Sequence, residues 1–472
     1  MTSTSPKAAA PLRSRLGLVV AISAAAVGII YGYDTGVIAG VLLFVPDEFH
    51  LSTTGTSSIA TAVALGMIAG ALAAGRVTDA VGRKLTMVGI AVGYVVFAIL
   101  SAVAQNLVWL DAARAGLGIT IGLSTVAAPV FIAESSPPKI RGSLLVSYQV
   151  ATVAGIMAAY FVGYALAPFG AWRWMLGLSA FPAAAVGILL LRLPDTPRWY
   201  MMKGRRAEAL HTLQRIDPDM DVDGELNAIE EALHAEHGGR LAEMVRRPYR
   251  RATVFVVSLG FLVQITGINA IIYFTPLIFT KVGLTGNVAL LLVPALIQLA
   301  ALVATVAAVL LVDRIGRRRV LLSGIVAMIA ANVLLAVVFA GDLTGGASAL
   351  AFAGVLLFTC GFDFGFGAMV WVYASESFPG RLRSTGASAM LTADLVGNVL
   401  IAQFFLGVLG SIGGIATFTI FGVLSLLSFV FVFVLAPETK GRPLESIRLY
   451  WENGGRWAGK DAAVRGDQPS AQ

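Results

Sequence analysis

Apolar residues run through the chain in long blocks separated by short polar stretches. Blocks of this length fit neither the period of two of a half-buried strand nor the one-sided stripe of a soluble helix. Twelve of them, centred on residues 17–42, 57–75, 85–105, 110–133, 143–166, 173–192, 253–279, 286–311, 319–340, 347–374, 384–409 and 412–436, approach or exceed the ~20 residues that cross a bilayer as a helix. Backbone polar groups inside lipid must be satisfied within the element, so each block predicts a helix. The pattern predicts an all-α membrane protein with twelve transmembrane spans.

The polar remainder follows its own order. The N-terminus and the loops after spans 2, 4, 6, 8 and 10 hold nearly all the basic groups, among them Arg76, Arg83, Lys84, Lys139, Arg141, Arg317, Arg318, Arg319, Arg381 and Arg383. The loops after spans 1, 3, 9 and 11 contain no Lys or Arg, and those after 5 and 7 contain only Arg173 and Lys281. Positive loops stay on the cytoplasmic side, so both termini are expected there. Lys7, Arg13 and Arg15 precede the first block as they would in a signal peptide. That block holds Asp34 and runs too long for a cleaved segment, so it is expected to remain as span 1. The one long polar stretch contains RRAEALHTLQ and GELNAIEEALHAEHGGRLAEMVRR, whose helical spacing and mixed charge predict short cytoplasmic helices. The expected organisation is a cytoplasmic N-terminus (1–15), a six-helix bundle (16–192), a cytoplasmic linker (193–251), a second six-helix bundle (252–436) and a cytoplasmic tail (437–472).

The two bundles are related by sequence. Asp79 in RVTDAVGRKLT returns as Asp313 in VDRIGRRRVLL, 313 − 79 = 234 residues later. Glu134 returns as Glu376 and Arg141 as Arg383, both 242 residues later. PDTPRW from 194 is echoed by PETKG from 437, a step of 243. Self-similarity at one long period marks a duplicated unit, here six spans, and paired six-span halves with a site between them recur among transporters.

Composition then removes alternatives. Of 472 residues, 57% are hydrophobic and 13% charged, with a mean hydropathy of +0.82, which describes no soluble surface. The net charge of +7 is distributed by membrane side, so it does not point to nucleic acid. Cys360 is the only cysteine, which excludes an internal disulfide and a cysteine metal cluster. His50, His211, His234 and His237 fall in loops with no ligand or triad pattern, so no metal, cofactor or enzymatic site is expected.

Charge inside the spans marks the candidate chemistry. An ionised acid at mid-membrane costs ~2.5–3.5 kcal/mol and is usually partnered and functional. Asp34 in YGYDTG and Arg114 in DAARAGLG are the isolated charges of the first half. At the cytoplasmic ends of spans 2–5 and 8–11, acids stand at fixed offsets from bases: Asp79, Arg83, Glu134 and Arg141, then Asp313, Arg317, Glu376 and Arg383. Such pairs can bridge neighbouring helix ends weakly enough to break during a transport cycle.

DAVGRK, ESSPPKIRG, ESFPGRLRS, PDTPRW, QITGIN and PETKG together resemble the signature set of the sugar porter family of the major facilitator superfamily, in family order over about 31–445. The resemblance implies a proton-coupled monosaccharide symporter that works by alternating access in the bacterial plasma membrane, importing a hexose, pentose or related polyol as a monomer. An uncoupled facilitator, or a drug or organic-cation antiporter of the same superfamily, is the alternative. It further implies that Asp34 and Arg114 are the proton-coupling pair, and that Glu208 of the linker and Glu438 of PETKG join the gating network. Gln149, Gln264, Asn269, Tyr273 and Trp371 match sugar-contacting positions. The pattern also breaks in places: Val263 stands where paired glutamines are usual, Ala301 where a polar residue is, and Asp394–Leu395 where an amide and Trp are. With Asn398 one turn on and an acid at Asp363, the pocket is expected to be less amide-rich and more acidic than a common hexose site.

Overall fold

The computed structural model describes residues 15–136, 141–216, 221–235, 241–341 and 346–457. The first half consists of α1 (Arg15–Val41), a one-turn α2 (Val45–Glu48), α3 (Thr53–Val81), α4 (Arg83–Ala102), α5 (Leu107–Ser135), α6 (Arg141–Leu166), and α7 (Trp172–Gly177) followed by α8 (Ala180–Leu191) as span 6. The polar stretch folds into α9 (Pro197–Met202), α10 (Arg206–Ile216), α11 (Val222–Ala235) and α12 (Leu241–Met244). The second half holds α13 (Arg250–Ile265), α14 (Ile268–Lys281), α15 (Val293–Ile315), α16 (Arg317–Ala340), α17 (Ala347–Phe362), α18 (Ala368–Glu376) and α19 (Gly380–Leu435), with α20 (Leu444–Glu452) in the tail. The fold is all-α, as the apolar pattern predicts.

Local chemistry sets several boundaries. Ser52 caps α3 by accepting from Gly55 N, and Asn106 caps α5 by accepting from Trp109 N at 2.9 Å. The reversals from α3 to α4 and from α15 to α16 each turn on a glycine in the left-handed region, Gly82 (φ 101°) and Gly316 (φ 105°). Those are the glycines of the two repeated DxxGR phrases.

Among the described residues, ten helical stretches are long and apolar enough to cross a membrane, and α1 adds a shorter apolar run at Ala26–Val41. One of the ten, Leu382–Leu435, spans 54 residues. At 1.5 Å per residue a straight helix of that length would run about twice the thickness of a bilayer. It breaks instead at Gly413 (φ 78°), giving spans 11 and 12. Three other spans depart from the regular helix: span 7 breaks at Gly267, and π-helical turns occupy Val288–Leu292 ahead of α15 and Asp363–Gly367 between α17 and α18.

Lipid tails are as apolar as leucine, so helices in a membrane associate by close contact. Small residues provide it here. A Cβ at Gly32 of α1 would lie 1.8 Å from the Thr152 carbonyl of α6, and one at Gly118 of α5 would lie 2.1 Å from the Val63 carbonyl of α3. Between the halves, α3 packs on α19, α6 on α15 and α1 on α14. One apolar cluster joins both halves through residues such as Val37, Ile59, Ile156, Phe274 and Leu291. A second, including Met67, Met87 and Leu193, belongs to the first half and receives only Leu391 and Leu395 from the other. Tyr160 also donates across the halves to the Ile272 carbonyl at 2.6 Å. These contacts join the two halves along several helices.

Candidate functional site

Span 1 has Asp34 on the face that meets span 4. Arg114 of α5 grips it with both ends of its guanidinium, Nη1 to Oδ1 at 2.6 Å and Nη2 to Oδ2 at 3.1 Å. Both residues are buried, 4% and 1% exposed. A planar fork on a carboxylate is among the stronger paired arrangements. Arg114 Nε is buried without a partner, so the guanidinium is satisfied by Asp34 alone among the described residues.

Beside this pair, span 7 is interrupted. QITGIN supplies the interruption: α13 ends at Ile265, Gly267 takes φ 104°, and α14 restarts at Ile268. A Cβ at Gly267 would lie 2.9–3.1 Å from the Phe421 ring, so glycine meets both the angle and the space. Gln264 and Asn269 flank the break and face each other, Asn269 Nδ2 donating to Gln264 Oε1 at 2.9 Å. Gln264 also lies beside Asp394 of span 11. Tyr273, one turn beyond Asn269, faces Asn398, one turn beyond Asp394. Among the described residues the Oδ1 of Asn398 is buried without a hydrogen-bond partner. Four of the expected pocket residues thus form one wall with Tyr273.

The other expected members are spread around it. Gln149 is half-buried on α6. Trp371 of α18 is 43% exposed, a large area for an aromatic in the middle of a bundle. Asp363 sits in the π-helical turn of span 10, beside Thr305 of α15. Val263 and Ala301 are buried and apolar, consistent with a pocket poor in amides. Two tyrosines outside the expected set lie here as well: Tyr31 is within electrostatic reach of Asp34, Tyr148, Tyr273 and Asp394, and Tyr148 Oη is buried without a hydrogen-bond partner. Tyr31 lies in the same YGYDTG as Asp34, three residues earlier, so the turn periodicity of span 1 already placed it beside the acid.

The duplicated charged phrases form two matching constructions at the basic face. In the first, Arg83 pairs with Asp79 (3.0 Å) and Glu134 (3.1 Å), and Thr196 donates to Glu134 at 2.6 Å. In the second, Arg317 pairs with Asp313 (2.9 Å) and, more loosely, Glu376 (3.7 Å), and Thr439 donates to Glu376 at 2.6 Å. Asp195 accepts from Arg83 N, and Glu438 from Arg317 N, each at 3.0 Å. These last two carboxylates cap the starts of α4 and α16, where helix N–H groups lack partners. Burial pushes the Asp195 carboxyl up, against the N–H groups that hold it ionised. Asp195, Thr196 and Thr439 are absent from the expected network, although the step of 243 from Asp195 to Glu438 was visible in the sequence.

Three expected gate members behave differently. Glu208 pairs with Arg205 at 2.8 Å on the exposed side of α10, and that bond holds its carboxyl below the usual range. It does not reach the basic groups at the span ends; the short reach of an i, i+3 partner wins over a distant one. Arg383 forms no ion pair among the described residues, and its Nε is buried without a partner. The side chain of Arg141 lies outside the described residues. The ion pairs at the span ends, Arg83–Asp79, Arg83–Glu134, Arg317–Asp313 and Arg317–Glu376, each join groups of one half.

Comparison with known proteins gives consistent matches. The family model described as "Sugar (and other) transporter" matches residues 20–451. The chain is 34% identical to an arabinose-proton symporter of Bacillus subtilis (strain 168), over 92% of this chain and 96% of that one. It is 34% identical to a galactose-proton symporter of Escherichia coli (strain K12), over 91% and 93%. Among solved structures, the inward-open conformation of the xylose transporter XylE from E. coli matches with a TM-score of 0.79 at 25% identity, covering 92% of this chain and 100% of that one. The XylE proton:xylose symporter bound to 6-bromo-6-deoxy-D-glucose matches with a TM-score of 0.77 at 26% identity, over 93% and 99%.

Proposed function

The chain belongs to the sugar transporter family of multi-pass membrane proteins, and from that premise we propose that it is a proton-coupled monosaccharide symporter working by alternating access. The observation that carries the coupling is the buried, bidentate Asp34–Arg114 pair next to a wall of amides and hydroxyls. A symporter needs a protonatable group whose charge state is tied to helix contacts, and this pair ties span 1 to span 4. One proton moving through 100 mV carries ~2.3 kcal/mol, roughly a fiftyfold substrate gradient.

The basic loops put both termini in the cytoplasm. With that orientation the Tyr160–Ile272 bond lies toward the outer side. The charged phrases Asp79–Arg83–Glu134 and Asp313–Arg317–Glu376, with Asp195 and Glu438, tie the helix ends of each half into one body. Each half then rocks as a unit about the polar wall. The broken span 7 gives the second half a joint at Gly267, with Gln264 and Asn269 on either side to sense the sugar. Gln149, Asp363, Trp371, Asp394 and Asn398 complete the site, and the protein acts as a monomer.

The acid at Asp394 favours substrates that present donors, because a carboxylate only accepts while an amide does both. Hexoses, pentoses, polyols and amino sugars all satisfy this at neutral charge or better. Counterflow of labelled sugars in proteoliposomes tests the reading. Exchange of at least one neutral monosaccharide, with uphill uptake abolished by a protonophore, is expected. Uptake indifferent to the protonophore identifies an uncoupled facilitator, and exchange of organic cations but no sugar identifies an antiporter of another class.

A further inference from the structure

A groove of about 530 Å³ runs up the second half between α13 and the two spans of α19. Val257 and Phe261 of span 7, Ala393 and Val396 of span 11, and Leu427 and Phe431 of span 12 line it. Its outer walls face lipid: Val396 is 41% and Leu427 57% exposed, and span 12 continues with Val430, Phe433 and Val434 at half-exposure or more. Apolar side chains exposed at this depth are solvated by acyl chains.

Below the groove the chain reads RRPYRR, with Arg246, Arg247, Arg250 and Arg251 at the basic end of span 7. Arg250, Val254, Val257 and Phe261 are spaced i, i+4, i+7 and i+11, so they form one stripe on α13. Arg250 therefore stands on the groove's own face, about 10 Å below Val257 along the helix axis. Arg251 turns aside and donates to the Gly454 carbonyl. Arg246, Arg247 and Arg250 are exposed and form no ion pair among the described residues. Positive-inside anchoring explains basic residues at this end, but not a free cation in register beneath an apolar groove.

We propose that this groove binds an anionic phospholipid, its acyl chain lying along Val257, Phe261 and Leu427 and its phosphate held by Arg247 and Arg250. Clusters of arginine at the cytoplasmic end of a span attract anionic headgroups, and the groove supplies the length-matched apolar half of the same ligand. Charge complementarity excludes a neutral lipid as the preferred occupant. The site backs directly onto the sugar wall: Phe261 precedes Gln264 by three residues, and Ala393 and Val396 flank Asp394. A chain seated there braces the lower half of span 7 against span 11, so lipid charge tunes the movement of the joint at Gly267. The inference does not depend on which sugar is carried.

The test uses the full chain in phosphatidylcholine nanodiscs doped with trace phosphatidylglycerol or phosphatidylcholine, each with a diazirine on its acyl chain. Photolabelled peptides are then mapped by mass spectrometry. Labelling around Val257–Phe261 and Val396 should be roughly tenfold or more stronger with the phosphatidylglycerol probe, as two arginines acting on one phosphate imply. Arg247→Gln with Arg250→Gln, both at exposed positions, should reduce it to the phosphatidylcholine level, and Val257→Trp should abolish it with either probe. Equal labelling by the two probes in the unaltered protein, or phosphatidylglycerol labelling that survives the double arginine variant, overturns the proposal.

Discussion

Glu134→Ala and Glu376→Ala delete corresponding carboxylates from the two halves, yet their costs should differ. Glu134 accepts from Arg83 at 3.1 and 3.4 Å and from Thr196 at 2.6 Å, and Arg198 stands 3.7 Å away. The Arg83 side chain is 6% exposed, so water cannot replace the lost partner, although Asp79 remains at 3.0 Å. Hydrogen bonds to charged groups are worth ~1.5–3 kcal/mol, and breaking a buried pair from one side costs ~3–5 kcal/mol. With Asp79 still in place, about 3 kcal/mol is expected. Glu376 keeps only the Thr439 bond as a close contact, and Arg317 approaches it no nearer than 3.7 Å with its side chain 18% exposed. Solvent and Asp313 (2.9 Å) take over most of that loss, leaving about 1–2 kcal/mol. Thermal unfolding in one detergent, followed by size-exclusion recovery, should show the Glu134 variant losing about twice the stability of the Glu376 variant. Equal losses, or a larger one for Glu376→Ala, would refute the argument that partner distance and burial, not repeat position, set the cost.

Gly32→Ala forces a Cβ to within 1.8 Å of the Thr152 carbonyl and should cost roughly 1–3 kcal/mol or prevent folding, whereas Gly75→Ala, with nothing within 4 Å, should be silent in the same thermal assay. Asp394→Asn replaces an acceptor by a group that also donates, so the ranking of a sugar panel in counterflow should change, with glucose improving relative to the native substrate; an unchanged ranking removes Asp394 from specificity. On the outer side, Trp172 and Arg173 hold the Glu48 carboxyl below its usual range. Its stabilisation is present above the ordinary carboxylate value and lost only as pH falls through the lowered one, so the stability difference between Glu48→Gln and the parent should stay flat from pH 5 to 8. A difference that shrinks within that window assigns Glu48 a pKa it should not have.

The sequence was most legible where a physical constraint acts on every residue of an element. Lipid imposes length and apolarity on each span, so all twelve blocks correspond to helices, and the repeat steps of 234–243 became two charged constructions of the same residue types. The Asp34–Arg114 pairing was legible through the family resemblance, which fell on the two isolated charges of the first half. Breaks within spans were less visible. Gly267 and the turn at Asp363 sit inside apolar runs whose periodicity looks continuous, and only the left-handed φ and the Phe421 ring against Gly267 disclose the joint. Asp195 was missed because a cap at a helix start resembles an ordinary loop acid until the N–H groups it accepts from are in place. Glu208 was misdirected because a resemblance gives a residue's usual partner, while the partner three residues away, Arg205, is set by the helix itself.

Asp34 remains the centre of the account, and one measurement addresses it without intermediaries. Asp34→Asn keeps the shape and one accepting oxygen but cannot lose or gain a proton at physiological pH. In vesicles energised by an imposed proton gradient, the variant should equilibrate labelled sugar and exchange it, yet accumulate none above the external concentration, while the parent concentrates it in proportion to the gradient. If Asp34→Asn still concentrates sugar to the parent level, the proton does not travel through the Asp34–Arg114 pair and the coupling mechanism is wrong.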